Sequence, residues 1–494
     1  MSLGTLVLYI GIAAVLLTLL VGFVFKRQKS WLMSFLQNFC GVLFIFSGFV
    51  KAIDPLGTAY KMEQYFAEFE STFSDTALGF LAPMFPWLSS HSATFSVLMI
   101  IFEIVLGLML VLGARPKFTS WAFFLLVAFF TILTGFTYLT GYVPQGVNFF
   151  EFGKWGAYVE TNMKVTDCGC FGDFLKLEPK VSFLKDVFLL IPALFFLFKN
   201  RDMHQLFTER FRNAATLVTT FALAIFCLNN FVWNLPPVDF RPFYVGNDVR
   251  AKKTAEQEAE EAVEVLAYKL KNKQSGQVVE LPTDQYLKEY KNYPKEEWEF
   301  EQVKSEPAIP RTKLSDFEVA DLEGNDKTED ILSNENYHFM VVSYKLYGTS
   351  TQSTVTVQDT TWATDTIRLE GTDSIQLVQR VASVEGKEVS KEVYSFEPDF
   401  EKRYSAIINP IAAGAQKDGY DFYAVTAYAD PGKIDDFRHA TQSAFPFYVA
   451  DDILLKTIVR SNPGLVLWKD GKIVMKWHWK QLPTYEEIKA RYLK

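Results

Sequence analysis

The chain has 494 residues and a net charge of −8. This length is enough for two to four domains, and the acidic balance lacks the basic footprint of a nucleic-acid-binding protein, so nucleic acid is not an expected partner. The composition changes along the chain, from apolar runs up to about Trp233 to charged sequence after Pro236. The series of apolar runs in the first half is not explained by the hydrophobic core of one soluble domain.

Six apolar stretches in the first half are long enough to cross a bilayer. A span needs roughly 20 mostly apolar residues, because the hydrocarbon core is ~30 Å thick and an α-helix rises ~1.5 Å per residue. The stretches are residues 5–25, 33–53, 94–113, 120–139, 182–198 and 214–233. The sequence therefore predicts a membrane all-α half with about six transmembrane helices.

Short basic loops give the orientation of these helices. Lys26, Arg27 and Lys29 follow the first stretch, Arg115 and Lys117 follow the third, and further basic residues lie in 199–212. By the positive-inside rule these loops are cytoplasmic, which places the two long loops and everything after Trp233 outside. The first stretch has neither a basic start nor a small-residue cleavage site, so we expect an anchor and not a cleaved signal.

Three ionisable residues lie within or beside the spans. Glu103 is inside the third stretch, and Lys51 and Asp54 close the second. Because a charge in lipid is costly, we expect Glu103 to face Lys51 or other polar groups in the bundle interior, or to line a pocket for a quinone or a lipid headgroup. The alternative is a purely structural contact between helices.

Cys168 and Cys170 lie in the predicted outer loop before the fifth stretch, whereas Cys40 and Cys227 lie within apolar spans. Outside the cytoplasm thiols are usually oxidised, and a ring closed across one intervening residue is constrained, which makes a disulfide easier to exchange. A redox-active pair is one interpretation. A structural turn disulfide and two thiols that never pair are the alternatives, and two thiols without a nearby histidine are too few ligands for zinc.

Residues 31–200 resemble the DoxX/MauE-type proteins, four-helix bundles of bacterial inner membranes. The stretches that carry the resemblance are 41–51, 54–55, 103–107, 112–113 and 167–173. The resemblance implies thiol, sulfur or quinone chemistry, including disulfide formation in exported enzymes. It also implies that residues 1–30 are an extra N-terminal helix and that residues 201–235 carry the sixth span.

Residues 236–312 are predicted to link the membrane half to a second domain. The segment begins with a proline-rich exit, and residues 251–264 are charged and favour a helix. Residues 265–281 alternate apolar and polar side chains around Ser275-Gly276, which predicts a β-hairpin. Residues 299–311 are predicted to be a linker.

Residues 313–494 carry an alternating pattern of strands and helices. Strands are predicted at 337–346, 421–428 and on both sides of the Asp470-Gly471 turn, and helices at 402–416, 433–441 and after Thr484, the expected N-cap. This order resembles the thioredoxin fold, an α/β fold, and Pro463 stands where that family has its cis-proline.

The same domain departs from thioredoxin in one chemical respect. Its sequence has no cysteine, and residues 347–351 occupy the place of the family's C-x-x-C motif. The resemblance therefore implies a binding domain, with an exposed backbone edge at Asn462, Pro463 and Gly464 that pairs with an extended client. A Thr/Val-rich insertion, residues 349–397, is predicted to form two to four projecting strands with a turn at Glu385-Gly386, and to cover or replace that surface.

Two hypotheses follow for the whole chain, both placing it in the bacterial inner membrane with a periplasmic C-terminal domain. In the first, Cys168 and Cys170 exchange disulfides with exported clients and electrons pass to or from a quinone. In the second, the protein is a non-enzymatic scaffold that contacts membrane lipid and an envelope protein. A transporter of small solutes or lipids is a third and weaker interpretation, because only Glu103 and Lys51 mark a polar path.

Overall fold

The computed structural model describes residues 2–165, 169–368 and 375–493. It divides into two compact units, Met1–Tyr244 and Val245–Lys494. The boundary follows the change in composition, because the first unit is built from apolar helices and the second from a mixture of strands and helices. Each unit is described by itself.

The described residues of the first unit form eight α-helices, six of which are long and apolar enough to span a membrane. The helices are α1 (Leu3–Leu19), α2 (Trp31–Ile53), α3 (Pro55–Ser74), α4 (Met84–Ser90), α5 (Ser92–Leu112), α6 (Pro116–Thr140), α7 (Pro179–Lys199) and α8 (Glu209–Leu228). A π-helical turn extends α1 to Val24 and another extends α8 to Trp233. The predicted six spans are confirmed.

Helix α2 lies at the centre of the bundle and packs against α1, α3, α5, α7 and α8. Its closest approach is to α5, where Gly41 and Gly107 face each other. A Cβ added at Gly107 would lie 2.7 Å from the Gly41 carbonyl oxygen. Small residues let helix backbones approach in this way. The close approach of α2 and α5 allows Lys51 on α2 to contact Glu103 on α5.

Helices α3 and α4 lie in a segment for which no element was predicted. Asp54 begins α3 as its N-cap, because its Oδ1 accepts a hydrogen bond from the Gly57 N–H at 3.2 Å, and Pro55 occupies the first helical position. Helix α3 mixes polar and apolar residues, so a search for uniformly apolar stretches does not detect it.

The second unit contains two sheets and a separate two-stranded ribbon. The strands are β1 (Val265–Asn272), β2 (Val278–Pro282), β3 (Trp298–Lys304), β4 (His338–Ser343), β5 (Gly348–Arg368), β6 (Ile375–Phe396), β7 (Asp421–Ala427), β8 (Phe447–Ala450), β9 (Gly464–Lys469) and β10 (Lys472–His478). The helices are α9 (Val249–Glu261), α10 (Thr283–Glu289), α11 (Thr328–Leu332), α12 (Pro398–Lys402), α13 (Asn409–Lys417), α14 (Pro431–Thr441), α15 (Asp452–Ile458) and α16 (Tyr485–Tyr492). A π-helical segment joins α12 to α13.

The five-stranded sheet has the order β10-β9-β4-β7-β8. Strand β4 is fully buried and pairs in parallel with β7 and antiparallel with β9, so that Val341 lies between Ala424 and Leu465. The predicted strands, the helices around them and the capping box of Thr484 with Glu487 are all present. Strand β8 and helix α15 were not predicted. The thioredoxin-like identity of this domain stays a prediction.

The smaller sheet has the order β2-β1-β3. Strands β1 and β2 form the predicted hairpin, with Leu270 opposite Val279. The predicted linker at 299–311 is wrong, because most of β3 lies there and pairs along β1, with Phe300 also opposite Leu270. The many charged residues of β3 hid its alternation, since only one of its faces is covered.

The insertion forms a long antiparallel ribbon of β5 and β6, which pair from Gly348–Phe396 to Arg368–Ile375. Two strands agree with the predicted range. The predicted turn at Glu385-Gly386 is wrong, because these residues lie inside β6 opposite Asp359 and Gln358. The pairing of Glu385 and Gly386 with the facing strand overrides the local preference of a glycine for a turn.

Candidate functional site

A buried ion pair joins the two central helices of the bundle. Lys51, in the last turn of α2, contacts Glu103 in the middle of α5, and the two residues are only 6% and 2% exposed. The Lys51 ammonium also lies 5.5 Å from the centre of the Phe130 ring on α6. The expected contact between Lys51 and Glu103 is therefore present, and its function stays a prediction.

A second buried polar group lies on α6 and α7. Asp186 is almost fully buried, accepts a hydrogen bond from the Thr134 hydroxyl at 3.0 Å and pairs with the neighbouring Lys185. One turn further along α6, the Thr137 hydroxyl lies 2.7 Å from the hydroxyl of the buried Tyr65 on α3.

The two polar groups face the same side of α6. Phe130, Thr134 and Thr137 are spaced four and three residues apart, so they lie along one face of the helix. Lys51 contacts the first of them and Asp186 the second. Sequence analysis missed Asp186, although an ionisable residue within an apolar span is a signal that would have identified it.

Asp54 lies at the junction of α2 and α3. Its carboxylate caps α3, which is a structural task at the point where the chain leaves α2. The structure thus places Lys51 and Glu103 in contact and Asp54 at the start of α3.

The loop that contains Cys170 is fastened to the same end of α2. The Ser47 hydroxyl donates a hydrogen bond to the Cys170 carbonyl oxygen at 2.8 Å, and the next residue, Phe171, is buried in the bundle core. Ser47 precedes Lys51 by one helical turn, so both lie on one face of α2. Cys168 lies outside the described residues, and its predicted pairing with Cys170 stays a prediction.

The predicted binding edge of the C-terminal domain is buried. The Asn462–Pro463 peptide bond is cis, as expected. However, Asn462, Pro463 and Gly464 are buried, and the Asn462 carbonyl oxygen accepts a hydrogen bond from Arg403 Nη1 at 2.6 Å. The expected exposed edge is therefore absent here, because Arg403, stacked 4.4 Å from the Trp479 ring, already occupies the acceptor. The binding role of these residues stays a prediction.

His338 is a buried histidine of the C-terminal unit with a lowered pKa. It lies at the start of β4, fully buried between the rings of Tyr423 and Trp468, and its Nδ1 is 2.9 Å from the Tyr423 hydroxyl. Burial lowers the pKa of His338 to about 4. Across the described ranges no three His, Cys, Asp or Glu side chains are grouped as metal ligands.

The six apolar helices and their buried charges define a polytopic membrane protein. Within it, residues 29–145 match the family described as methylamine utilisation protein MauE. The match covers α2 to α6, with Lys51 and Glu103, and ends before the Cys168–Cys170 loop and α7. No curated protein and no solved structure matches the chain.

Proposed function

We propose that the membrane half takes part in thiol–disulfide or quinone-linked redox processes of the bacterial envelope, with Cys168 and Cys170 as the exchanging pair. The observation that supports this proposal is the hydrogen bond from the Ser47 hydroxyl to the Cys170 carbonyl oxygen. It lies one helical turn from the buried Lys51–Glu103 pair. A buried ion pair beside a cysteine-bearing loop provides a charged group near the place where protons are released or taken up. The MauE match covers the helices that hold this pair.

The proposed exchange conserves atoms and electrons. A client dithiol attacks a Cys168–Cys170 disulfide, the client leaves with a disulfide, and both cysteines are left as thiols. Reoxidation of the two thiols releases two electrons and two protons. Glu103 and Lys51 are the residues of this bundle that would hold or pass a proton near the loop.

A membrane quinone is the electron acceptor that suits this location. Lys51 is the residue that would hold a quinone carbonyl, because its ammonium has three N–H donors and Glu103 is its carboxylate partner. When bound, a quinone would supply the capacity to take up the two electrons and two protons.

The proposed location is the inner membrane, with the C-terminal unit in the periplasm. The basic loops support this orientation, and the strand order of the five-stranded sheet supports a thioredoxin-like domain. Since residues 245–494 have no cysteine, this domain would hold a client or partner and leave thiol chemistry to the membrane half.

A second candidate function is that of a non-enzymatic accessory subunit or scaffold. The sequence has no second cysteine pair outside the apolar spans, which favours this function because a reduced Cys168–Cys170 pair would have no neighbouring pair in the chain to accept its electrons. In this case a Cys168–Cys170 bond would only fix the loop that Ser47 holds.

The test compares Cys168→Ser and Cys170→Ser with Cys227→Ser, a buried cysteine of α8 that serves as the matched control. We expect thiol alkylation to label Cys168 and Cys170 only after mild reduction. We also expect both variants, but not the control, to lower disulfide content in exported proteins at equal protein level. If client disulfides are unchanged in the double variant Cys168→Ser/Cys170→Ser, the scaffold function replaces the redox function.

A further inference from the structure

The ribbon of β5 and β6 is only two strands wide. Its 21 paired positions extend about 70 Å at ~3.4 Å per residue. It packs on the rest of the unit at its base, where the Phe396 and Phe437 ring centres are 5.0 Å apart. No described side chain of the ribbon is buried, and none of the described strands pairs with either outer edge. Since an isolated two-stranded hairpin is marginally stable in water, a ribbon of this length needs a further strand.

The two outer edges of the ribbon differ in charge. Strand β6 has six charged residues, two of which are lysines, whereas β5 has three charged residues and no lysine. One of these three, Asp365, is paired with Arg380 across the ribbon. Charged side chains, and lysine above all, keep the edge strands of natural proteins from pairing with other chains. The edge of β5 is therefore the one that is open to a further strand.

An exposed apolar cluster lies beside this open edge. Trp362 faces Val381 across the ribbon, and Val384 faces Thr360, which lies two residues before Trp362 and so on the same face of β5. Trp362, Val381 and Val384 are 59%, 47% and 51% exposed. A strand added to β5 would cover part of this cluster in addition to bonding the backbone of the edge.

We propose that β5 pairs antiparallel with β5 of a second copy of this chain, so that two ribbons form one four-stranded sheet. The length of the edge selects this occupant. An ordinary strand of about 5–6 residues would cover only about a quarter of it, whereas β5 of a second copy is long enough to cover most of it. This pairing is independent of the thiol chemistry proposed above.

The apolar cluster gives the register of the two copies. A two-fold axis at Thr361 places the Trp362 side chains of both copies diagonally opposite each other on one face of the sheet, within reach of aromatic contact. In the same register Asp359 lies opposite Ala363 of the second copy, so that no two carboxylates of the β5 strands are directly opposed. Apolar contact and charge therefore agree on this arrangement.

The experiment measures the oligomeric state of the full-length, detergent-solubilised protein by native mass spectrometry over a range of concentrations. We expect the unaltered protein to be a dimer. Trp362→Ser should weaken the dimer about 30-fold, because a tryptophan at the centre of an interface is a typical hot spot. Thr361→Lys should weaken it about 5-fold, because two like charges then face each other across the axis.

The matched control is Ser383→Lys, which places the same charge on β6 directly opposite Thr361 within one ribbon. The dimer should keep its affinity in this control, and an equal loss would show that the edge of β5 is not the interface. Thr361→Cys gives a second measurement, since oxidation should link two copies through this position while Ser383→Cys stays unlinked. A monomer at every concentration, or a Thr361→Cys protein that is not linked, overturns the proposal.

Discussion

Lys51 and Glu103 place two full charges in the part of the bundle that lipid surrounds. Neither charge is tolerable alone there, because an unpaired ionised side chain at the centre of a span costs about 2.5–3.5 kcal/mol on insertion scales. The pair is stable because the carboxylate and the ammonium contact each other and the Phe130 ring lies over the ammonium. The effects of substituting Lys51 and Glu103 on the free energy of unfolding should therefore be strongly coupled.

We predict that Glu103→Leu destabilises the bundle by about 3 kcal/mol, since Lys51 remains buried and unpaired. The double variant Lys51→Met/Glu103→Leu should recover most of this loss. Thermal unfolding of the detergent-solubilised protein measures the effect. Leu98→Ala, at a position 58% exposed towards lipid, is the control with little change expected. A double variant less stable than both single variants would contradict the coupling.

His338 gives the C-terminal unit a dependence on pH. Its pKa of about 4 in the folded protein is below the ordinary 6.5, so between these values the unfolded chain binds a proton that the folded chain does not. The contribution of His338 to the free energy of unfolding is therefore fully present above pH 6.5 and is lost as the pH is lowered towards 4. The loss should reach about 3 kcal/mol at pH 4.

Urea unfolding of the full chain, followed by pulse proteolysis of the C-terminal unit at pH 7 and pH 5, tests this prediction. His338→Gln should flatten the pH dependence. His439→Gln is the matched control, because the His439 side chain is 71% exposed on the same unit. If both variants keep the slope of the unaltered protein, His338 is not the group responsible.

Residue-level prediction from the sequence succeeded for the ion pair and failed for its neighbour. Glu103 stood out because it interrupts a long apolar run, and Lys51 was the nearest opposite charge at a span end. Asp186 follows Lys185 near the start of its span, where charges are common, and its burial depends on the packing of α6 against α7. The burial of Asn462 likewise depends on Arg403, a residue distant in sequence.

Helix packing at the element scale rests on the contact of Gly41 with Gly107. We predict that Gly107→Ala separates α2 from α5 and destabilises the bundle by about 1–3 kcal/mol, because the added Cβ would lie 2.7 Å from a backbone oxygen that cannot move alone. Gly11→Ala on α1 is the control, since nothing lies within 4 Å of its added Cβ. Equal melting temperatures for the two variants would show that this contact is not limiting.

Elements were predictable where one physical signal dominated. The six spans are uniformly apolar, and β4 is a continuous apolar strand buried on both faces. Helix α3 and strand β3 escaped because each has one polar face, and β8 escaped because four residues are too short for a period. The turn predicted at Glu385-Gly386 was wrong because a local turn preference does not show whether the dipeptide is paired within a longer strand.

The distribution of charge over the whole chain gives its predicted orientation. We predict that residues 236–494 face the periplasm, because the basic loops between spans lie on the opposite side. A membrane-impermeant protease added to intact spheroplasts should remove the C-terminal unit. A cytoplasmic marker protein, intact before lysis and digested after it, is the control. Protection of the C-terminal unit until lysis would contradict this orientation.

The two ends of the ribbon meet where it leaves the five-stranded sheet. Gly348 pairs with Phe396, and the Glu397 N–H donates a hydrogen bond to the Tyr347 carbonyl oxygen at 3.1 Å. The chain therefore leaves and returns at one point. The hydrogen bonds at the base of the ribbon do not depend on the number of residues between β5 and β6. In evolutionary terms we expect a permissive site here, at which the segment beyond the Gly348–Phe396 pair is lengthened or shortened while Tyr347 and Phe396 keep their packing on the core. We expect related chains to vary most in length here.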